Sequence, residues 1–401
     1  MSEAFFYLSD GKLFLFDGTR ETEVHSGILD AYTAKVRASA ARTEWKYSGE
    51  GARFTGAYRP DASAEDRIAA IHPEITAAQF CDGVLVYALS MNGIAGIYHK
   101  RLGEGAEDGI VLSTADASYR DFSVKGEMIA ASAFSTGESH IGVCSLDRPD
   151  FRIMTEGHTV DTEPVWSREQ EDLLFFCSAG LSETKRTEED DVPQSFPQML
   201  LQAQSAGTQR MLGPSAVCSL SLSDNALTEL LSDNRYDYLH PQSTPDGSLY
   251  YIRRLYRMPK TDRGGCLSDL LLLPFRLIGA LFGFFNLFSM KYSGKPLSHT
   301  GDVRQRDETQ MRIDGNLIDA EKELRENTAK GEKNPGIIPR SWELHRRAKD
   351  GSDTLIRRGI CAYRVLENGT VLCSTGNAVI AVRTDGTEEK TAELRNVTRI
   401  I

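Results

Sequence analysis

Asp-Gly and Asn-Gly pairs punctuate this chain from end to end. They stand at Asp10-Gly11, Asp17-Gly18, Asp82-Gly83, Asn92-Gly93, Asp246-Gly247, Asp350-Gly351, Asn368-Gly369 and Asp385-Gly386. Such pairs accept the positive φ that tight hairpin turns require. Between them lie short β-rich runs at 12–16, 84–89, 126–134, 173–177, 249–252 and 379–383. The pattern predicts antiparallel meanders rather than strands alternating with helices.

The spacing of the runs sharpens this expectation. Phe80, Phe122 and Trp166 each close a strand-like run and precede a hairpin. They recur at intervals of roughly 40–45 residues, the period of four-stranded propeller blades. Residues 238–254 and 360–394 fit as further units. The chain ends complete the count: 396–401 reads as a last strand, while 5–8, 12–16 and 21–25 read as three strands with nothing before them. One C-terminal and three N-terminal strands make one blade, and such closure removes exposed sheet edges. The expected fold is therefore all-β: a six-bladed β-propeller, with five or seven as the neighbouring counts, closed by the N- and C-terminal strands and carrying a helical insertion. Residues 1–254 form its first part and 339–401 its last part. The insertion, 255–338, holds a hydrophobic helix at 267–290 and a charged helix at 313–330. Two shorter segments also break the pattern. Residues 26–41 read as a helix with Ile28, Tyr32 and Val36 along one face. Residues 181–197 read as a solvated loop bearing Glu183, Glu188, Glu189, Asp190 and Asp191.

Two segments resemble a known blade motif. Asp161-Thr162-Glu163-Pro164-Val165-Trp166-Ser167 resembles that of TolB-like propellers, in which an aspartate, a proline and a Trp-Ser pair run into Pro-Asp-Gly. The run Pro241-Gln242-Ser243-Thr244-Pro245-Asp246-Gly247-Ser248-Leu249-Tyr250-Tyr251-Ile252 is similar to its second half. Arg168-Glu169-Gln170 replaces Pro-Asp-Gly in the first copy, and the match is clear in two blades only. The resemblance implies architecture. Members act largely as binding platforms, or as gating domains for an attached hydrolase.

Residues 267–290, LSDLLLLPFRLIGALFGFFNLFSM, are the most apolar stretch. Pro274 starts or kinks a helix there. Projected at 100° per residue, Arg276, Gly279, Gly283 and Asn286 fall on one narrow seam. The membrane- or partner-contact face comprises Leu272, Phe275, Leu277, Ile278, Leu281, Phe282, Phe284, Phe285 and Phe288. The length is close to the ~20 residues of a membrane span. A single crossing, however, leaves the rest of the insertion on the far side with no second apolar run to return it. A helix lying in the interface avoids this. Arg253, Arg254, Arg257, Lys260 and Arg263 precede the stretch, and Lys291 and Lys295 follow it, a basic flank suited to an anionic leaflet. The spacing Gly279–Gly283 equally suits close helix approach in a homo-oligomer, and burial on the propeller needs no lipid at all.

Charge and motifs exclude several functions. The net charge of −11 disfavours nucleic acid. Seven dispersed cysteines with no CxxC pair read as reduced and buried. The N-terminus has neither the basic nor the apolar region of a signal peptide, so a cytoplasmic setting is expected. The chain has no GxSxG elbow, P-loop, HExxH helix or EF-hand spacing, and no two histidines sit at ligand spacing. Sequence alone therefore assigns no catalytic, cofactor-binding or metal-ligating residue. His158, Asp161 and His240 fall near the expected innermost strands, where hydrogen bonding at turns is the reading taken over catalysis. Glu163-Pro164 and Trp166 read as blade packing. The expected role is a noncatalytic platform for a protein partner or an anionic membrane surface, with no cofactor. An enzyme acting on a sugar or peptide in the propeller channel is the alternative.

Overall fold

Tight turns set the register of the strands. At Asp10-Gly11 both residues take positive φ (50° and 73°), as do those of Asp82-Gly83 (50° and 77°), the mirror-image turn whose twist matches that of its flanking strands. The structure, a computed structural model, describes residues 4–43, 73–91, 94–103, 107–114, 117–135, 137–146, 148–185, 208–256, 310–313 and 316–401. They divide into two compact units, Met1–Asp121 with Ile401, and Phe122–Ile400.

In the first unit, β1 (Phe5–Ser9), β2 (Lys12–Phe16) and β3 (Glu21–Glu23) pair in sequence order. Ile401 and Phe6 exchange backbone hydrogen bonds of 2.8 and 3.2 Å, so the last residue of the chain meets the first strand. Helix α1 (Gly27–Thr43) matches the expected 26–41 segment. Asp108 accepts from the backbone N–H groups of Gly27 and Ile28, satisfying orphan donors at the helix start. Ile28, Tyr32 and Val36 are half-buried along one face. A second meander follows: β4 (Glu74–Cys81), β5 (Val84–Met91), β6 (Ile94–Arg101) and β7 (Gly109–Leu112). Its Leu85, Tyr87 and Leu89 join Phe6, Leu8 and Leu13 in one core.

The unit boundary falls inside β8 (Ser118–Lys125). The second unit continues with β9 (Met128–Ser135), β10 (Glu138–Ser145) and β11 (Arg148–Ile153), then β12 (Thr159–Trp166), β13 (Leu173–Lys185), β14 (Thr208–Ser221) and β15 (Leu227–Leu231). These two meanders share a sheet through a single parallel bridge between Ser139 and Val160. Strands β13 and β14 stay paired as far as Lys185 and Thr208. The loop expected from residue 181 therefore begins later. Leu181 and Leu212 carry the ribbon onward by packing with Phe134 and Val160. Glu183 lies in that ribbon, while Glu188, Glu189, Asp190 and Asp191 lie outside the described residues.

Strands β16 (Tyr236–Ser243) and β17 (Leu249–Leu255) open the next sheet. Before it is completed come the hairpin β18 (Gln310–Ile313) with β19 (Asn316–Asp319), and helix α2 (Ala320–Ala329). The sheet is completed by β20 (Glu343–Arg347) and β21 (Asp353–Arg358), in the order β16-β17-β20-β21. Strand β17 pairs directly with β20, from Leu249 opposite Arg347 to Arg253 opposite Glu343. The long insertion thus leaves and re-enters one sheet between adjacent strands. The helix expected at 313–330 is shorter than the sequence suggested. In the sequence the pair Asp314-Gly315 stands between β18 and β19. Its flanking strands bury Ile313 and Ile318 beside Ile337, Ile338 and Trp342. The helix starts where Asp319 caps it by accepting from Lys322 N at 3.0 Å.

The last meander is β22 (Ala362–Val365), β23 (Val371–Ser374), β24 (Val379–Val382) and β25 (Glu388–Ala392), followed by β26 (Val397–Ile400). Phe80, Phe122 and Trp166 all lie in the first strand of a meander, as their spacing implied. The Trp166 indole donates to Ser123 O at 3.0 Å and is buried beside Ile141 and Phe176. Among the described residues no helix is long and apolar enough to cross a membrane.

Candidate functional site

Strands β12 and β16 carry the same interruption. Each holds a residue followed by proline, Glu163-Pro164 and His240-Pro241. Proline has no N–H for the ladder, so the pairing slips there. The shift falls between Thr162 and Val165 against β13, and between Leu239 and Gln242 against β17. Glu163 (φ 55°) and His240 (φ 54°) take the left-handed conformation, which costs a non-glycine residue on the order of 1–3 kcal/mol. Such a conformation persists only where its surroundings over-determine it.

The surroundings here are a polar knot. Glu163 and His240 are both buried, at 7% and 9% exposure. Glu163 Oε2 accepts from His240 N at 2.7 Å and from Cys177 Sγ at 3.3 Å. Its Oε1 stands 2.9 Å from both Arg399 Nη2 and His240 Nδ1. A second guanidinium nitrogen, Arg399 Nη1, touches the imidazole, 2.8 Å from Nε2. Arginine only donates, and Nη1 meets both ring nitrogens, Nδ1 as well as Nε2. Tyr363 on β22 donates its hydroxyl to His240 O at 2.5 Å, and burial holds that hydroxyl well above the ordinary tyrosine range. The knot joins β12, β13, β16, β22 and β26, from residues up to 236 positions apart.

Bulge and proline thus recur at the same point of both motif copies, each in the first strand of a four-stranded meander. The fold is all-β, its meanders in a β-propeller arrangement. No family model and no curated protein matches the sequence. Among solved structures, TolB from Acinetobacter baumannii is similar over 98% of this chain and 65% of its own, at 9% identity and a TM-score of 0.46. A putative TolB from Agrobacterium tumefaciens matches over 62% and 65%, at 10% identity and a TM-score of 0.36. A chain of a nidogen/laminin complex matches over 99% and 97%, at 10% identity and a TM-score of 0.43. The propeller spans 65% of the length of either TolB chain. Likeness at this level carries no reading of activity.

The chemistry of the knot is that of a closed set. An ionised carboxylate offers about four lone-pair sites, and the backbone, the imidazole, the thiol and the guanidinium occupy them. Both oxygens of Glu163 are thus engaged within the protein, one by the His240 backbone and the Cys177 thiol and the other by Arg399. Cys177 Sγ faces a carboxylate and the carbonyl of Tyr238, the opposite of the electropositive setting a nucleophilic thiolate needs. Burial pushes the Cys218 and Cys373 thiols up to about 12, so neither supplies a thiolate near neutrality.

His158 and Asp161 belong to a different cluster from His240. Asp161 is 2% exposed and accepts from Thr155 Oγ1 (2.6 Å) and Ser178 Oγ (2.7 Å). His140 Nδ1 stands 3.8 Å from Asp161 Oδ2, an ionic contact longer than a hydrogen bond. Its Nε2 stands 3.6 Å from Glu138, whose other oxygen meets His158 Nδ1 at 2.7 Å. The Asp161 carboxylate raises the His140 pKa above the ordinary 6.5, burial opposes it, and Glu138 adds to the rise. A histidine raised on folding contributes stability that is complete below its unfolded pKa and is lost as pH climbs through the folded value. Urea midpoints should therefore fall as pH rises from about 6.5, and His140→Gln should flatten that slope. An unchanged slope in the variant would remove His140 as its source.

Of the basic flank, Arg253 and Arg254 lie in β17 and are engaged inside the sheet. Arg254 is 5% exposed, pairs with Asp237 at 3.2 Å and stacks over Trp342 at 4.7 Å. Arg253 meets Glu343 at 2.6 Å and covers the Tyr236 ring. These two correct the sequence expectation: strand alternation and burial pair them with carboxylates rather than presenting them to lipid. Arg257, Lys260, Arg263, Lys291 and Lys295 lie outside the described residues, as do the apolar face from Leu272 to Phe288 and the seam Arg276, Gly279, Gly283 and Asn286. Sequence reasoning passed over Arg399, Tyr363 and Cys177. The one local signal was the X-Pro pair shared by the two motif copies.

Proposed function

We propose that this chain is a noncatalytic binding platform built on six blades and held at the cytoplasmic membrane face through residues 267–290. The six are β1–β3 with the chain end, β4–β7, β8–β11, β12–β15, the β16-β17-β20-β21 sheet and β22–β25. The observation that carries the noncatalytic part is the saturated Glu163 carboxylate. It is a carboxylate held on the first strand of a blade, and both of its oxygens are engaged by protein donors. A channel used for hydrolysis would need a carboxylate or imidazole free to exchange a proton with substrate. If chromogenic glycosides or peptides were turned over by the parent and not by Glu163→Gln, that part of the reading would fall.

Membrane attachment is supported by the apolar stretch and its remaining basic flank. It is also supported by the insertion's return to the strand next to the one it leaves. A segment anchored at both ends to one sheet suits a helix lying in the interface. In flotation with phosphatidylserine vesicles, the full chain should rise with the lipid and a variant lacking 267–290 should stay below. Charge reversal at Lys260, Arg263, Lys291 and Lys295 should weaken flotation by about 1 kcal/mol per residue. Equal recovery of the full chain and the deletion in the soluble fraction would end the membrane claim.

A further inference from the structure

A groove of about 570 Å³ opens beside β21. Its walls are β21, the turn Gly386–Glu388 before β25, and the connection from Glu332 to Arg340 that leads from α2 toward β20. Among the described residues, strand β21 ends its sheet and pairs on one side only, with β20. The extra residue Ile356 bulges its register there. Arg357 is buried and clamps Glu388 through two nitrogens, at 3.0 and 3.3 Å, while Arg358 and Leu355 remain exposed. Half-buried Ile356 adds to the apolar strip begun by Leu355.

The charges of the groove do not balance. Arg340 pairs with Glu332, and Arg357 with Glu388. Glu343 serves two arginines at once, Arg253 at 2.6 Å and Arg358 at 3.2 Å. Lys333 donates to a carbonyl, that of Glu388, at 3.3 Å. Among the described residues, these contacts leave Lys333 and one of the two arginines without a carboxylate of their own. This local positive excess sits on a chain of net charge −11. Two glutamates in the walls disfavour a compact polyanion such as a phosphate cluster. An outer strand, an apolar strip and cations in the lining suit an extended chain. Its alternate side chains, about 7 Å apart on one face, offer carboxylates to these cations and apolar groups to Leu355.

We propose that this groove docks an extended acidic peptide segment of a protein partner. The inference rests on the platform reading and gives its partner a chemistry. The test is fluorescence anisotropy with the full chain and a labelled ten-residue peptide alternating glutamate and leucine. The peptide should bind, and added salt should weaken it. Lys333→Glu with Arg358→Glu should raise Kd at least about tenfold. The glutamine–leucine counterpart should suffer a similar loss on the parent protein. Arg358→Gln, which only neutralises an exposed side chain, serves in place of the double variant if that fails to fold, with a rise in Kd of about threefold. No binding by the glutamate peptide overturns the proposal, and so does equal binding by the charge-reversed protein or by the glutamine peptide. It is also overturned if the reversal abolishes vesicle flotation while the peptide still binds unchanged, for then the groove meets lipid. Turnover dependent on Glu163 would sink the platform reading and leave this titration interpretable on its own.

Discussion

Glu163→Ala should destabilise the second unit by about 3–5 kcal/mol, the cost of breaking a buried ion pair from one side. Alanine removes the acceptor for His240 N, Cys177 Sγ and Arg399 Nη2 together. It leaves a guanidinium and a backbone N–H in a site closed to water on the carboxylate side, and it keeps the left-handed bulge before Pro164. Glu163→Gln retains the volume and one acceptor oxygen, so its loss should be smaller, about 1–3 kcal/mol. Arg399→Ala added to Glu163→Ala should cost less than the two singles summed, since the pair is lost only once. The measurement is urea unfolding followed by tryptophan fluorescence, because Trp166 and Trp342 are both buried in this unit. A loss below about 1 kcal/mol, the value of an exposed pair, would mean that water reaches the carboxylate and that the knot is not a closed set.

Phe176→Ala should be comparably severe, about 3–5 kcal/mol. Phe176 is 1% exposed and packs with Ala130 and Ile141 from one meander and with Trp166, Leu174 and Leu220 from the next. Among the described residues the backbone pairing of those meanders is the single bridge between Ser139 and Val160, so side-chain packing and side-chain hydrogen bonds do most to bind them. Truncation opens a cavity at the seam of two sheets. Phe176→Leu keeps most of the volume and should cost less than ~1.5 kcal/mol. Equal losses for Ala and Leu would point to ring contacts rather than a void. The readout is again the urea midpoint at constant m-value.

Local chemistry was legible in this sequence wherever it was decided by neighbours along the chain. Asp82-Gly83 and Asp246-Gly247 announced their hairpins because a turn of that kind is chosen by two residues. Phe80, Phe122 and Trp166 announced the blade period because one bulky position recurs in each first strand. The stripe Ile28, Tyr32 and Val36 announced α1 for the same reason. The strands β18 and β19 were hidden by the charged run that follows them in the sequence. The polar knot was not legible. Glu163, His240 and Arg399 meet only once the sheets are assembled, and nothing near Arg399 in the sequence marks it as a partner for a carboxylate 236 positions earlier. Arg253 and Arg254 misled for a related reason: a basic pair looks like a surface until the neighbouring strands supply Glu343 and Asp237.

The pairing of β17 with β20 also bears on how the chain folds. Closing a hairpin over residues 256–342 instead of a turn of a few residues asks for more than four doublings of loop length. At about 0.6 kcal/mol each, that amounts to on the order of 3 kcal/mol of chain entropy. A domain of this size tolerates such a burden at equilibrium. Kinetically, the burden makes this sheet a late one, since non-local contacts must wait for their loop to close. The hairpins β16–β17 and β20–β21 can form early on their own turns. Their union completes the blade that supplies His240 to the knot and β21 to the groove, so both depend on this late pairing.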